Sequence, residues 1–306
     1  MCMADRLLVL GWHNVEGTRC FPSRPGRGRT GLHRQLSALA RVANVVPLGR
    51  SLADLDAGRP LPPRAVALTF DDGYADVLSL AVPMLERLQL PATFFLVPGL
   101  LSREMTAWWE DLASAFATAT QPELHWHENT WPLSGSSSRR RAFSAVAEQL
   151  KQLDAASRSA AVDELVVRLA PRAVHQPDLF LDWTGGRELV RRRFAIGSHT
   201  TAHAILARET PEAQRADLAT ARRRLQDELE VSADVLAYPN GRAQDFDAVT
   251  TAAAAAAGHT HSLTTIEGLH CRGDSAHAVR RCVVFPERGL TDLFVTARHA
   301  AYAFGT

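Results

Sequence analysis

The chain has 306 residues, of which 46% are hydrophobic and 22% are charged, and its formal net charge at pH 7 is +1. This length and composition are typical of a globular protein that buries a large core, and the balance of 34 Lys and Arg residues against 33 Asp and Glu residues gives no support for a nucleic-acid partner. The four cysteines have unrelated spacings and no CxxC pair, so they indicate neither a zinc knuckle nor a disulfide framework.

The N-terminal segment carries no recognisable export signal. Its sequence, MCMADRLLVLGWHN, contains an apolar run of about four residues, which is too short for the hydrophobic part of a signal peptide. No later run approaches the length of a membrane span. We therefore expect a cytoplasmic protein with reduced thiols, and the sequence leaves its oligomeric state open.

Short β-like runs alternate with longer helical stretches, which is typical of an α/β fold with parallel strands. The span 101–190 lies between two strand signals and is predicted to be a helical insertion within a single catalytic domain, 1–306. The predicted strands cover 6–11, 65–70, 92–97, 194–198, 234–238 and 259–264, with a further candidate at 279–285. The predicted helices cover 31–41, 75–88, 142–152, 157–169, 185–193, 211–229, 245–257 and 290–301.

The strand predicted at 65–70 runs directly into two adjacent carboxylates and a glycine, in the sequence VALTFDDGYAD. Asp71 and Asp72 are therefore expected at a strand end, where α/β folds place their active sites. Because neighbouring side chains of an extended segment point in different directions, one carboxylate can bind a metal while the other acts as a base. The sequence Asp-Asp-Gly is also good turn chemistry, so alone it favours a structural turn.

The strand predicted at 194–198 is followed by two histidines four residues apart, in FAIGSHTTAHAIL. If a helical turn begins there, His199 and His203 share one face, a spacing that metal sites use. Two imidazoles and one carboxylate form the protein part of a catalytic zinc site and leave one position open for water, although iron, cobalt and nickel accept the same ligands. The alternative is a pair of surface histidines at a helix N-terminus.

The strand predicted at 234–238 ends in a turn, in the sequence VLAYPNG. Pro239 and Gly241 force this turn. A backbone N–H that is exposed here beside a metal could stabilise a tetrahedral oxyanion.

Together these segments resemble the polysaccharide deacetylases, the NodB-homology family. The similarity spans about 62–265 and rests on three motifs in the family's order, namely TFDDGY at 69–74, HTTAH at 199–203 and AYPNG at 237–241. The resemblance implies a distorted (β/α) barrel with fewer than eight repeats. It also implies a metal-dependent hydrolase that removes N-acetyl groups from sugars.

The resemblance assigns a role to each matching position. Asp72, His199 and His203 correspond to the metal ligands, with Zn²⁺ as the expected metal. Asp71 corresponds to the catalytic base that takes a proton from the attacking water, and the backbone N–H of Tyr238 is the candidate oxyanion donor. The implied partner is an N-acetylated sugar in a polysaccharide, in a glycoside or on a carrier.

Two features depart from the family pattern. Ala237 stands where the family has an arginine that tethers the base, and Arg24, Arg27 and Arg280 are the candidates to replace that arginine. In addition, no C-terminal histidine lies in a segment like the late motif that supplies the family's general acid.

The missing acid directs attention to His13, which follows the first predicted strand in LLVLGWHNV. The segment resembles the start of a branch of the family that acts on exopolysaccharides, in which a Tyr-His pair ends the first strand. In that branch the late motifs are permuted to the front of the chain. Trp12 replaces the tyrosine of the pair in this chain. We expect His13 to protonate the departing amine. The alternative is a core histidine that is hydrogen-bonded to a backbone carbonyl.

Two other functions fit the same residues. The ligand set could serve a hydrolase of another C–N bond, such as that of a formyl group or a ureide ring, because the ligands specify the chemistry and not the acyl group. Ala237 and the absent late histidine would also fit a carbohydrate-binding relative without activity, although the intact Asp71 argues against it. The tryptophan pair in AWWEDL at 107–112 favours packing on an amphipathic helix over a platform for a sugar ring.

Overall fold

A sheet of mostly parallel strands lies at the centre of the computed structural model, which describes residues 5–174, 178–290 and 293. The strands are β1 (Arg6–Trp12), β2 (Asn44–Val45), β3 (Ala65–Phe70), β4 (Thr93–Leu96), β5 (Glu123–Trp126), β6 (Asn129–Pro132), β7 (Ala195–Ser198), β8 (Val235–Ala237), β9 (His261–Leu263), β10 (His270–Cys271) and β11 (Cys282–Val283). The helices are α1 (Arg27–Val42), α2 (Leu48–Asp56), α3 (Val82–Leu88), α4 (Pro98–Leu101), α5 (Trp108–Thr118), α6 (Ser136–Leu150), α7 (Ala155–Leu169), α8 (Trp183–Arg191), α9 (Pro211–Leu229) and α10 (Ala248–Ala256).

The parallel strands form a distorted barrel. They follow the order β1-β3-β4-β7-β8-β9, and each pairs in parallel with its neighbour. The segment 279–283 joins the two ends of this series, because Val279 bridges Leu263 of β9 while β11 pairs in parallel with β1. This arrangement confirms the predicted α/β barrel with fewer than eight repeats.

The strand sequences explain why the sheet is buried on both faces. All six residues of β3, AVALTF, and all four residues of β4, TFFL, are buried. Near-continuous apolar runs of this kind are typical of parallel strands that are covered on both sides. At the end of β1 the Trp12 side chain is also buried, and its Nε1 donates a hydrogen bond to the Gln35 Oε1 of α1 at 3.1 Å. This bond fixes the strand end from which the chain continues to His13.

The segment between β4 and β7 contains helices α4 to α8, as the predicted insertion requires, but it also contains an antiparallel hairpin of β5 and β6. The hairpin differs from the all-helical expectation. In β5 the side chains alternate, with Leu124 and Trp126 buried and Glu123 and His125 exposed, so the local period is two instead of 3.6. Apolar residues of the insertion belong to the same continuous core as the barrel strands. The insertion therefore packs directly on the barrel.

The predicted elements agree with the structure at every long periodic segment that is described. All six predicted strands occur, and the late candidate is represented by Val279 and β11. The predicted ranges missed α2, although its buried Leu48, Leu52 and Leu55 have helical spacing. They also missed α4 and α5 of the insertion and the short strands β2 and β10. The helix expected at 290–301 lies almost wholly outside the described residues. In the described part of the chain, no helix is both long enough and apolar enough to cross a membrane.

Candidate active site

The carboxyl ends of the parallel strands carry the residues that the sequence singled out. Asp71 and Asp72 follow β3, His199 follows β7, Tyr238 follows β8, and His13 follows β1. Because parallel strands present their carboxyl ends at one edge of the barrel, the side chains at these ends lie close together. All five residues line one cavity of about 470 Å³.

Three side chains form a group that could hold a metal ion. The ligand atoms of Asp72, His199 and His203 all lie within 4.8 Å of one another. The Asp72 Oδ1 lies 3.2 Å from the His199 Nε2 and 3.3 Å from the His203 Nε2. Although burial opposes the charged form, the two neighbouring imidazoles hold the pKa of Asp72 well below its ordinary value.

The surroundings of this group also suit a cation. The His199 Nδ1 contacts the backbone carbonyl of Ala237 at 2.7 Å, which fixes the ring and directs Nε2 towards Asp72. The Asp72 Oδ1 is buried and has no hydrogen-bond partner among the described residues. A buried carboxylate oxygen without a donor is costly unless a cation binds it, so the donor set fits a divalent metal.

The two histidines are not held by a helical turn, as the HxxxH spacing suggested. Residues 199–205 form a loop, and Thr200 and His203 have positive φ angles of 62° and 51°. The carboxylate of Asp217, in α9, accepts a hydrogen bond from the Thr201 N–H at 2.7 Å and so supports this loop. Burial raises the pKa of Asp217 to about 6. The loop brings both imidazoles to Asp72 through backbone conformation instead of helical periodicity.

A buried arginine pairs with the candidate base. The Arg281 Nη1 lies 2.7 Å from the Asp71 Oδ1, and its Nη2 lies 2.7 Å from the Asp71 Oδ2, so the pair is bidentate. Arg281 is 0% exposed and also donates to the Thr264 carbonyl at 3.2 Å. Although burial opposes ionisation of Asp71, this guanidinium lowers its pKa below the ordinary value.

Arg281 therefore makes the contact with the base that the family's arginine makes from the position of Ala237. The sequence named Arg24, Arg27 and Arg280 as candidates, and the structure corrects them. Side chains alternate along the closing segment 279–283, so Arg281 points into the barrel and Arg280 does not. The signal that could have identified it is the run VRRCVVF, because an arginine at a buried position of a strand requires a partner with negative charge.

His13 lies beside the candidate base and ligands. Its ring is half-buried, lines the same cavity as Asp71 and Asp72, and stacks on Phe21 with ring centroids 5.8 Å apart. Within the described part of the chain, no hydrogen bond joins the His13 ring to a backbone carbonyl, as a core histidine would require. The His13 ring is therefore open to the cavity.

The turn after β8 corrects the expected oxyanion donor. The backbone N–H of Tyr238 donates to the Leu263 carbonyl at 3.0 Å, because the ladder between β8 and β9 continues one residue beyond the strand. It is therefore not free to bind a substrate. Asn240 lines the cavity in the same turn with a φ of 62°, and within the described residues its N–H makes no hydrogen bond.

The comparison with protein families identifies the family of the chain. Residues 58–262, more than half of the chain, match the model of the family described as polysaccharide deacetylase. The chain belongs to this family.

Individual deacetylases are also similar to the chain. The poly-beta-1,6-N-acetyl-D-glucosamine N-deacetylase of Escherichia coli K12 is 35% identical over 91 residues, which cover 28% of this chain and only 13% of that protein. The Streptococcus pyogenes deacetylase PplD, solved in complex with acetate, has a TM-score of 0.62 at 17% identity and covers 95% of this chain and 97% of its own. IcaB from Ammonifex degensii has a TM-score of 0.60 at 17% identity, with 97% of both chains covered. These two structures share the fold of this chain.

Helices of the insertion form one wall of the cavity that contains Asp72, His199 and His203. Trp108 and Trp109 of α5 both line it, together with the α6 residues Phe143 and Glu148. Trp109 also packs on the candidate ligand His203, with ring centroids 4.3 Å apart. The tryptophan pair thus packs as the sequence predicts, and it shapes the cavity as well.

A buried carboxylate on α5 links three parts of the site. Glu110, which is 2% exposed, accepts hydrogen bonds from the Thr18 hydroxyl at 2.6 Å, the Cys20 N–H at 3.1 Å and the Tyr74 hydroxyl at 2.9 Å. The Tyr74 oxygen in turn accepts from the Trp109 Nε1 at 2.9 Å. The insertion therefore holds both the loop after His13 and the tyrosine of the DDGY motif.

Proposed function

We propose that this deacetylase is a metal-dependent hydrolase that removes the N-acetyl group of an amino sugar. The observation that carries the proposal is the convergence of Asp72, His199 and His203 beside an arginine-paired Asp71 in one cavity. Asp72, His199 and His203 would hold the cation, and Zn²⁺ suits two imidazoles and a carboxylate. When bound, the cation supplies Lewis-acid polarisation of the acetamide carbonyl and of the attacking water.

The residues around the ligands would move the protons. Asp71 takes a proton from the water that attacks the carbonyl carbon, and it stays ionised between turnovers because Arg281 stabilises its negative charge. The N–H of Asn240, which lines the cavity, would donate to the oxyanion as it forms. His13 donates a proton to the amine nitrogen as the C–N bond breaks, so the products are acetate and a free amino sugar.

Arg281 bears on the alternative of a carbohydrate-binding relative without activity. That alternative depended on Ala237, which removes the arginine of the family's third motif. Because Arg281 pairs with Asp71 from the closing segment, the base keeps a guanidinium partner. The interaction expected of a catalytic site is therefore present.

The direct test is acetate release by the purified chain, with its metal content measured, from N-acetylglucosamine oligosaccharides and glycosides. Similarity to the Escherichia coli poly-beta-1,6-N-acetyl-D-glucosamine N-deacetylase motivates a β-1,6-linked oligomer as one substrate. Formamido and ureido analogues serve as competitors in the same assay. We expect acetate release that is lost on chelation and restored by Zn²⁺, and hydrolysis of the formamido or ureido compounds alone would overturn the proposal.

A further inference from the structure

The segment after His13, which runs into the first turn of α1, carries an unusual concentration of positive charge. Residues 17–30, GTRCFPSRPGRGRT, contain four arginines and no acidic residue, whereas the whole chain has a net charge of only +1. None of these arginines takes part in the chemistry described above. The positive charge of this segment therefore indicates a role outside that chemistry.

Two of these arginines lie in a groove at the mouth of the catalytic cavity. Arg24 and Arg27 line it with Arg288, and the remaining lining residues are Pro22, Ser23 and Glu287. We call this the arginine groove. Pro22, Glu287 and Arg288 also line the catalytic cavity, so the two spaces share a wall.

The three guanidinium groups of the arginine groove lack acidic partners. The Arg27 Nε donates to the backbone carbonyl of Glu287 at 3.0 Å, and the Arg288 guanidinium lies over the Phe285 ring at 4.1 Å from its centroid. Among the described residues, none of the three forms an ion pair with a carboxylate. Their charges are therefore available to a ligand.

The other cationic side chains near the cavity already contact an acidic or aromatic partner. Lys151 pairs with Glu148 at 2.7 Å, and Glu148 also pairs with Arg242 at 2.7 Å. These contacts lower the pKa of Glu148 to about 2, with Arg242 as the main cause. The Arg140 guanidinium lies over the Phe143 ring, 5.5 Å from its centroid. The arginine groove is therefore the place near the cavity mouth where several guanidinium groups without acidic partners come together.

The loop that carries Arg24 and the first turn of α1, which carries Arg27, are held by backbone contacts. The two carboxylate oxygens of Glu16 accept from the N–H groups of Gly26 and Arg29 at 2.9 and 3.0 Å. The Glu16 carboxylate thus accepts hydrogen bonds from the main chain and forms no ion pair with these arginine side chains among the described residues. Because these contacts support the backbone of the arginine groove, a ligand can bind there without the entropic cost of ordering that backbone.

We propose that the arginine groove binds a phosphoryl group of the N-acetylated sugar substrate while the acetamide lies at Asp72, His199 and His203. The proposal rests on the proposed deacetylase function and names its substrate class. Guanidinium forks match phosphate oxygens in geometry and charge, and a neutral glycan would leave these arginines without a partner. A nucleoside diphosphate and a lipid diphosphate present the same chemistry, so both belong to this class.

The test compares substrates that differ only in the phosphoryl group. We would measure acetate release from methyl N-acetylglucosaminide, N-acetylglucosamine 1-phosphate, a uridine diphosphate N-acetylglucosamine and a short-chain prenyl diphosphate N-acetylglucosamine, with a glucuronate-containing disaccharide as the carboxylate arm. We expect at least a 10-fold higher kcat/KM for the phosphorylated sugars, and this preference should shrink as salt rises from about 50 to about 300 mM, because exposed charges are screened over roughly that salt range. The two diphosphate substrates distinguish the nucleotide from the lipid source.

A matched pair of variants locates the effect. The double variant Arg24→Ala/Arg27→Ala should reduce the ratio of the two kcat/KM values, phosphorylated over neutral, by about 10-fold or more. Arg29→Ala is the control, because Arg29 lies close by in the first turn of α1 but lines a different depression with His33 and Arg87. An equal kcat/KM for neutral and phosphorylated sugars, a preference for the carboxylate arm, or an equal effect of both variants would overturn the proposal.

A binding measurement separates failure of this proposal from failure of the proposed function. Isothermal titration of inorganic pyrophosphate into the wild type and the double variant needs no turnover. If no acetamido sugar releases acetate, the deacetylase function fails, and pyrophosphate affinity that depends on Arg24 and Arg27 would still support the groove. If acetate is released but pyrophosphate binds both proteins equally, the groove assignment alone is wrong.

Discussion

The pairing of Asp71 with Arg281 determines the charge of the candidate base. Both side chains are almost fully buried, and their two contacts at 2.7 Å satisfy both carboxylate oxygens. Removing one partner of a buried pair leaves an uncompensated charge, which typically costs about 3–5 kcal/mol. The pair therefore links the stability of the barrel closure to the activity of the site.

For Arg281→Met we expect a loss of stability of that size, about 3–5 kcal/mol, together with a fall in kcat of about 100-fold or more, because Asp71 would become neutral or misplaced. Denaturant unfolding and acetate release measure the two effects. Arg280→Met is the matched control, since the Arg280 Nη1 donates to the Glu267 carbonyl at 3.3 Å and not to the base. Similar losses in both variants would show that the effect belongs to the segment and not to the ion pair.

The site residues show which positions the sequence can predict and which it cannot. Asp71, Asp72 and the two histidines follow apolar strands, so their placement at one edge of the barrel could be predicted. Arg281 could not be chosen over Arg280 without the register of the closing segment, in which one residue reverses the direction of a side chain. The engagement of the Tyr238 N–H likewise depends on a hydrogen bond to β9 that no local pattern reveals.

At the scale of elements, α5 connects the insertion to the catalytic edge. Glu110 holds the loop after His13 and the hydroxyl of Tyr74, while the neighbouring Trp109 packs on His203. The sequence predicts the insertion but not this role, because the partners of Glu110 lie 36 and 92 positions away in the chain. The loop conformation of 199–205 and the β5–β6 hairpin were missed for a related reason, since a short motif is compatible with more than one backbone geometry.

For Glu110→Ala we expect kcat to fall about 10-fold and the stability to fall by about 2–4 kcal/mol, because three donors, two of them buried, lose their acceptor. Glu110→Gln should recover part of both losses, since its amide oxygen still accepts. The control is Glu104→Ala, which removes an exposed ion pair with Arg224. If Glu110→Ala loses stability but keeps its kcat and metal content, the network supports the fold and does not position the site.

At the scale of the whole molecule, burial of histidine couples stability to pH. Burial of His259, which is 3% exposed, lowers its pKa from 6.5 to about 4. Between these values the unfolded chain binds a proton that the folded chain does not, so stability falls as pH falls from 6.5 towards 4. The full contribution of this single group is about 3 kcal/mol.

The variant His259→Phe should therefore lose less stability than the wild type when the pH is lowered from about 7.5 to about 4.5. Urea unfolding of the chelator-treated proteins at the two pH values measures the difference. The matched control is the exposed His125, replaced by Phe in the same way. A wild-type pH dependence in His259→Phe would mean that other groups cause the loss.

The central claim is that Asp72, His199 and His203 hold a cation beside a base, Asp71, that does not itself hold it. The most direct measurement is the metal content and the acetate-release rate of Asp71→Asn, compared with Asp72→Ala in the same preparation. We predict that Asp71→Asn keeps its metal and loses at least about 100-fold in rate, whereas Asp72→Ala loses both. A wild-type rate in Asp71→Asn, or full metal occupancy in Asp72→Ala, would contradict it.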